Sequence, residues 1–287
     1  MKPIVRAGRM KPVHSDIRGP LFVEAMKRQK QGIDILKLNT GNPATFGFGL
    51  PDSIKNALME HMQDGVGYCD FKGMPQARQA ICDYETSKGI KGITPDDVFI
   101  GNGVSEVVSF ALTPLLNDGD EVLVPSPSYS LWGNSVYLED GKPVFYTCDE
   151  QANWYPDIQD IRSKITDKTK AIVIINPNNP TGVLYPKELL LEIIQIARES
   201  GLLIFADEIY RYGWQTAHLS CFTDRGCSGH YVKRSVQITL SVRIPLRMDG
   251  HQRSKRTDRR LQTGHHPVNI SASVRQYHGT DRHPCSS

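Results

Sequence analysis

Short apolar runs and stretches of helical periodicity alternate along the first 210 residues of this 287-residue chain. Residues 171–175 and 201–206 form compact apolar runs, which are typical of strands buried in a parallel sheet. Residues 186–200 repeat apolar positions every three or four residues, as a helix packed on a sheet does. The same patterns predict earlier strands at residues 98–100, 121–124 and 144–146, and helices that begin at Pro75, Ser105, Ser128 and Ile158 or are capped by Asp52.

This alternation predicts an α/β fold in which helices cover both faces of a mostly parallel sheet. The alternation fails past residue 210. One strand is predicted at residues 235–242, whereas residues 251–266 contain hardly an apolar side chain and cannot bury enough surface to order themselves. We therefore expect an incomplete α/β domain followed by an irregular tail.

The charge distribution changes at the same point. Residues 211–287 contain 11 Arg and 2 Lys against 4 Asp and no Glu, a net charge of +9, and seven of the nine His. Residues 1–210 carry 27 acidic and 21 basic side chains, a net charge of −6. A shifted reading frame after about Arg211 would explain the change. A functional basic segment that binds nucleic acid or an acidic partner is the alternative, although the aromatic residues of the tail are scattered without pattern.

Two polar side chains stand at the ends of neighbouring predicted strands. Asn179 follows the strand at residues 171–175, and Asp207 follows the strand at residues 201–206. Ligands bind at this carboxyl edge of open α/β sheets, so we expect the two side chains to share a site. A loop that only turns the chain and an Asp that only caps the next turn form the alternative interpretation.

The residue types at this edge suit pyridoxal phosphate. A carboxylate such as Asp207 favours the protonated form of a pyridine nitrogen, and the protonated ring is the electron sink of pyridoxal chemistry. Tyr210 lies three residues further along and can reach the phenolic oxygen of the ring, as can the amide of Asn179. Residues 101–103 form a glycine turn before a predicted helix, so the first free amides of that helix, at Val104 and Ser105, can hold a phosphate.

The motifs at residues 176–182 and 206–210 give the chain a resemblance to a known family. Residues 1–210 resemble the large-domain half of fold type I, class I/II aminotransferases, and within that family the alanine (glutamate–pyruvate) branch. Five further segments carry the resemblance, at residues 16–20, 36–43, 67–70, 100–106 and 148–150.

The resemblance implies roles for further residues. Tyr129 matches the aromatic residue that stacks on the pyridine ring, while Trp132 is expected to serve for packing. Tyr68 resembles the tyrosine that reaches the phosphate of a neighbouring subunit, which implies a homodimer. A half-buried surface aromatic is the alternative for Tyr68. Gly41 and Asn179 resemble positions that contact the substrate.

The resemblance also implies an activity and a division of the chain. An amino group would pass between alanine and 2-oxoglutarate, with pyridoxal 5'-phosphate as cofactor and small amino and 2-oxo acids as partners. A pyridoxal-dependent lyase or decarboxylase is the alternative, because one fold serves several reactions. Residues 1–45 would contribute to the substrate site or to a small domain, residues 46–210 would form the cofactor-binding large domain, and residues 211–287 would be the aberrant tail.

The lysine that binds the cofactor covalently in this family has no clear match. The resemblance places it in a Ser-Lys pair about thirty residues past Asp207, where this chain has Leu240. Lys233 comes too early, and Lys255 follows a serine but comes too late. In this family the arginine that binds the substrate carboxylate comes from a small C-terminal domain, and that domain has no match in this chain. No catalytic residue is therefore assigned, and the sequence leaves the activity of this chain open.

Other classes of protein are disfavoured by composition. No run approaches the roughly 20 apolar residues of a membrane span, and the first residues lack the apolar core of a signal peptide, so we expect a cytoplasmic enzyme without a membrane partner. The six Cys show no metal-type spacing and fit reduced thiols better than a disulfide framework. No metal site is expected.

Borohydride reduction tests the interpretation of the tail. We expect no reduced lysine adduct when the purified chain is mixed with pyridoxal phosphate and treated with borohydride, because the family's lysine is missing. Mass spectrometry of the digested chain provides the measurement. A stoichiometric adduct on Lys233 or Lys255 would show that the tail supplies the lysine after all.

Overall fold

A computed structural model describes residues 3–15, 18–37, 41, 43–87, 92–210, 237–242 and 270–275. It is built around one sheet of eight strands. The strands are β1 (Val98–Phe99), β2 (Glu121–Ser126), β3 (Lys142–Asp149), β4 (Tyr155–Pro156), β5 (Thr169–Ile175), β6 (Leu203–Asp207), β7 (Gln237–Val242) and β8 (Ile270–Arg275). The α-helices are α1 (Pro20–Lys30), α2 (Asp52–Glu60), α3 (Pro75–Ser87), α4 (Val104–Leu112), α5 (Leu131–Leu138), α6 (Ile158–Ser163) and α7 (Lys187–Glu199).

The sheet is mostly parallel, as predicted. Its strand order is β1-β8-β7-β6-β5-β2-β3-β4. The five central strands, β7, β6, β5, β2 and β3, run parallel to one another, whereas β4, β8 and β1 pair antiparallel at the two ends. Because β2, β5 and β6 are parallel, their carboxyl ends meet at one edge of the sheet.

Helices pack on both faces of the sheet and bury two apolar clusters. On one face α6 and α7 pack against β3, β5 and β6, with Ile161, Leu190 and Ile193 fully buried. On the other face α4 and α5 contribute Leu112 and Trp132 to a cluster with inward residues of β2, β5 and β6. This double covering explains why the central strands are apolar on both faces, and it confirms the predicted fold class.

Several boundaries differ from the prediction. Asp52 was expected to cap α2 but is its first residue, and Pro51 holds the cap position without a side-chain bond. The helix predicted from Ser128 begins at Leu131 because residues 127–130 leave the strand as an irregular loop. The strand β8 was not predicted, although its residues alternate between apolar and polar, because it is short and its partner strands are distant in the chain. The predicted irregular stretch at residues 251–266 lies outside the described residues.

The N-terminal segment is tied to α5. Arg9 forms a salt bridge of 2.9 Å with Asp140, just past the end of α5. The backbone N–H of His14 donates to Asn134 Oδ1 at 3.3 Å, and Asn134 Nδ2 donates to the carbonyl of His14 at 2.5 Å. These contacts place His14 near the carboxyl edge of β2. Within the described residues, no helix has the length and apolar character needed to span a membrane.

A buried carboxylate anchors the opposite edge of the sheet. Glu121, at the start of β2, is 5% exposed and accepts hydrogen bonds from Lys142 at 2.8 Å, Thr166 at 2.6 Å and Thr169 at 3.4 Å. The pKa of Glu121 is held below its usual value, mainly by the hydrogen bond from the Lys142 ammonium. Glu121 thus joins the starts of three adjacent strands, β2, β3 and β5.

Replacement of Glu121 by Gln should lower stability in a pH-dependent way. The carboxylate has a lower pKa in the folded than in the unfolded chain, so its stabilisation is present at neutral pH and is lost as the pH falls below about 4. We expect Glu121→Gln to lower the free energy of unfolding by about 1–2 kcal/mol at pH 7. Urea unfolding at pH 7 and at low pH measures the change.

Glu199→Gln is the matched control. Glu199 also bonds a basic side chain, Arg162 at 2.9 Å, but its side chain is 48% exposed, so its loss should matter little. Equal effects of the two substitutions, or an effect of Glu121→Gln that does not shrink with falling pH, would contradict the role given to Glu121.

Candidate active site

Four predicted site residues line one cavity at the carboxyl edge of the sheet. The cavity has a volume of about 830 Å³, and Gly41, Tyr129, Asn179 and Tyr210 contribute to its walls. The loops after β2, β5 and β6 supply Tyr129, Asn179 and Tyr210, as the parallel topology requires. The other walls come from the N-terminal segment, the end of β2 and the loop after it, α5, β3 and the loop after β5, namely His14, residues 125–128, Ser130, Gly133, Asn134, Tyr137, Phe145 and Pro180.

The predicted pair of Asn179 and Tyr210 is in contact. Asn179 Nδ2 donates to the hydroxyl oxygen of Tyr210 at 3.2 Å. Burial raises the pKa of Tyr210, and the nearby Asp207 and Tyr129 raise it further, so the phenol stays protonated near neutral pH. Tyr210 can therefore donate its own proton to an acceptor in the cavity. The pair joins the loops after β5 and β6 and presents one amide and one hydroxyl to a ligand.

Asp207 lies behind the cavity and not in its wall. Only 6% of the residue is exposed. Its Oδ2 accepts a hydrogen bond from Trp132 Nε1 at 3.0 Å, and its Oδ1 accepts one from the backbone N–H of Ile209 at 3.3 Å. Trp132 was expected to serve for packing; it is buried, and its indole N–H also bonds this carboxylate, a contact that the sequence did not predict.

The surroundings of Asp207 raise its pKa. Burial is the largest cause, the neighbouring Glu208 adds to it, and the two hydrogen bonds oppose it. Among the described residues no cationic side chain forms a salt bridge with Asp207. A bound cation would relieve this uncompensated carboxylate, and a protonated pyridine nitrogen is such a cation.

A buried residue beside Asn179 fixes its loop. Asn178 is 2% exposed, and its Oδ1 accepts hydrogen bonds from the N–H and hydroxyl of Thr181 at 3.4 and 3.2 Å. Its Nδ2 donates to the hydroxyl of Tyr185 at 3.2 Å, and the N–H of Tyr185 donates to Asn176 Oδ1 at 2.9 Å. Sequence reasoning missed Asn178 and Tyr185. The density of Asn and Pro in residues 176–180 was the only signal for such a network.

The start of α4 has the open geometry of an anion site. Gly103 caps the helix with φ +90° and makes no side-chain cap, and an added Cβ would meet no atom within 4 Å. The first amides of a helix have no carbonyl partner within it, so those of Val104 and Ser105 can bind a phosphate. Glu106 accepts a hydrogen bond from the N–H of Asn102, on the turn that leads into the helix. Val104 and Ser105 do not line the cavity, and their role stays a prediction.

Tyr68 does not line the cavity, and the described strand beside β6 supplies no lysine. Tyr68 is fully exposed and lines no part of the cavity, so its predicted contact with a neighbouring subunit stays a prediction. Leu240 in β7 pairs with Asp207 in β6, and none of the six residues of β7 is a lysine. Lys233 and Lys255 lie outside the described residues. Among the residues that are described, no group of three His, Cys, Asp or Glu side chains could hold a metal ion.

The residues present fit pyridoxal phosphate in four respects. Asp207 is a buried carboxylate without a cationic partner in the described part of the chain, and Asn179 and Tyr210 are paired hydrogen-bonding groups. Tyr129 supplies an aromatic ring, 41% exposed, in the wall of the same cavity. The open helix start after Gly103 supplies amides for a phosphate. Each group matches one part of the cofactor: ring nitrogen, phenolic oxygen, ring face and phosphate.

Substitution of Gly103 should weaken phosphate binding. An alanine at φ +90° is strained by about 1–2 kcal/mol, so Gly103→Ala should shift the start of α4 and lower its affinity for inorganic phosphate several-fold. Gly201→Ala is the control, because Gly201 also has a positive φ, +67°, but lies at the opposite edge of the sheet. Calorimetric titration with phosphate measures the affinity. Equal losses in the two variants would remove the helix start from the site.

Comparison with known proteins places the chain in a family. The family model for aminotransferase class I and II matches residues 33–225. Over 210 residues the chain is 56% identical to glutamate-pyruvate aminotransferase AlaA of Haemophilus influenzae. The aligned region covers 73% of this chain and 52% of that protein. Over the same length it is 46% identical to alanine aminotransferase of Mycobacterium tuberculosis, again covering 73% of this chain and 49% of that protein.

Solved structures agree with this placement. An aminotransferase from Escherichia coli superposes with a TM-score of 0.75 at 45% identity, covering 84% of this chain and 58% of that one. Alanine aminotransferase from Pyrococcus furiosus gives a TM-score of 0.74 at 39% identity, covering 83% of this chain and 59% of that one. The chain spans about half the length of the curated relatives it matches. By sequence and by fold, the chain belongs to the class I and II aminotransferases.

Proposed function

We propose that this site binds pyridoxal 5'-phosphate and that the enzyme to which it belongs transfers an amino group between alanine and 2-oxoglutarate. The observation that carries the proposal is the buried carboxylate of Asp207, which lies close enough to the Asn179–Tyr210 pair to raise the pKa of Tyr210. Such a carboxylate favours a cationic ring nitrogen in the cofactor. The substrates are supported by the names of the relatives, glutamate-pyruvate and alanine aminotransferase.

Each side chain has a distinct task in this proposal. Asp207 holds the ring nitrogen protonated, while Asn179 and Tyr210 bind the phenolic oxygen. Tyr129 would pack on the ring face, and the amides of Val104 and Ser105 would hold the phosphate. When bound, the cofactor supplies a cationic ring that withdraws negative charge from the α-carbon of the substrate.

The substrate would lie between the ring and the N-terminal segment. Gly41 and Asn179 line the cavity and would contact the substrate carboxylate. A volume of about 830 Å³ accommodates a drug-sized molecule, and the cofactor with a three- to five-carbon acid is of that size. The polar walls contributed by Ser128, Asn134 and Tyr137 suit an acid better than an apolar side chain.

We also propose a division of the chain and an assembly. Residues 1–45 supply the Gly41 and His14 walls of the substrate site, and residues 46–210 form the cofactor-binding domain. Tyr68 is fully exposed, as a side chain that reaches a second subunit would be in the isolated chain, which supports a homodimer. Residues 211–287 remain a proposed aberrant segment, of which β7 and β8 extend the sheet.

Substitution of Asp207 tests the cofactor site. Asp207→Asn keeps the shape of the side chain but removes the negative charge, so the affinity for pyridoxal phosphate should fall roughly 10- to 100-fold. Absorbance titration of the purified chain measures the affinity, and coupled assays with alanine and 2-oxoglutarate measure amino transfer. Asp140→Asn is the control, because Asp140 is half exposed and its positive φ suits asparagine.

Three outcomes decide the proposal. The cofactor site is supported if the native chain and Asp140→Asn bind pyridoxal phosphate tightly and Asp207→Asn binds it weakly. Unchanged binding in Asp207→Asn contradicts the role of the carboxylate. Amino transfer to a 2-oxo acid from another amino acid, with none from alanine, would retain the family's chemistry and reject the proposed substrates.

A further inference from the structure

One buried side chain near the cavity has a contact that its packing does not explain. Trp132 is 1% exposed, and its ring packs against Phe205 with centroids 5.3 Å apart and planes inclined by 42°. This contact accounts for the ring. It does not account for the indole N–H, which donates a hydrogen bond to Asp207 Oδ2 at 3.0 Å. Trp132 lies three residues after Tyr129 in the chain.

The carboxylate that receives this bond lies in an unfavourable place for a charge. Asp207 is nearly fully buried, and its titratable neighbours Glu208 and Tyr210 bring no positive charge. Two donors stabilise its ionised form, and the Trp132 bond at 3.0 Å is shorter than the 3.3 Å bond from Ile209. Loss of the indole donor would leave one oxygen of a buried carboxylate with less stabilisation than burial demands.

An indole suits this position because of its chemistry. It is a donor only, it does not ionise near neutral pH, and it carries no charge. It therefore stabilises a carboxylate without neutralising it, whereas a lysine or a protonated histidine would supply the opposite charge from within the protein. The negative charge of Asp207 stays available for a cation that arrives with a ligand.

We propose that Trp132 is a positioning residue, whose N–H fixes the orientation of Asp207 and keeps it ionised, and so sets the affinity of the site for a cationic ring nitrogen. The part that concerns the cofactor rests on the proposed function. The part that concerns Asp207 does not, because the bond exists in the chain by itself.

The sharpest test removes the N–H and keeps the ring. Replacement of Trp132 by 3-benzothienylalanine puts sulfur in place of the N–H with nearly the same shape, and Trp132→Phe provides a second, genetically simple variant. Carboxyl ¹³C resonances of the full chain, with Asp207 assigned through Asp207→Asn, give the protonation of Asp207 without any ligand. Absorbance titration with pyridoxal 5'-phosphate gives the affinity of each variant.

We expect both Trp132 variants to raise the proton affinity of Asp207 and to weaken the binding of pyridoxal phosphate, each on the order of tenfold. Phe205→Leu is the matched control, because it reduces the packing of the indole and leaves the donor in place. It should lower the melting temperature without changing the titration of Asp207 or the affinity.

The possible results separate this inference from the proposed function. If the benzothienyl variant titrates and binds as the native chain does, Trp132 serves only for packing and the proposal is wrong. If Asp207 titrates differently but the affinity is unchanged, the link from Trp132 to binding is wrong. If the native chain binds no pyridoxal phosphate, the proposed function fails, and the carbon titration still decides whether Trp132 governs Asp207.

Discussion

A carboxylate buried at the end of a parallel strand is the constraint on which the rest of this site depends. Asp207 ends β6 and is buried, as are the three apolar residues before it. A buried charge is tolerated only with hydrogen-bond donors, and Trp132 provides one from α5. The packing of α5 on β6 is therefore a condition for the site as well as for the core.

The site has a buried layer and an exposed layer with different tasks. Trp132, Asn178 and Tyr185 are nearly fully buried and hold the strand ends and loops in place. Tyr129 and Tyr210 are 41% and 49% exposed and face the cavity. Because close-packed interiors have few alternative arrangements, the buried layer fixes the positions of the exposed groups that line the cavity.

The predictable parts of this molecule are those with a local cause. The strands β5 and β6 and the helix α7 followed from the period of their apolar residues, and the parallel topology placed Asn179 and Asp207 at one edge. The start of α5 was placed too early, because Ser128 resembles a helix cap while the chain is still leaving β2. The strand β8 escaped prediction, although its six residues alternate between apolar and polar, because the strand is short and its pairing with β7 and β1 is non-local.

The sequence by itself determined the α/β class, the edge of the sheet that carries the site, and the chemistry of Asn179, Asp207 and Tyr210, because periodicity and residue type are local properties. Only the tertiary structure decided that Asp207 lies behind the cavity, that Trp132 bonds it from 75 residues away, and that Asn178 points inward while its neighbour Asn179 points outward. Those outcomes depend on how a helix and two loops pack against the sheet. Packing between distant segments leaves no periodic mark on the chain.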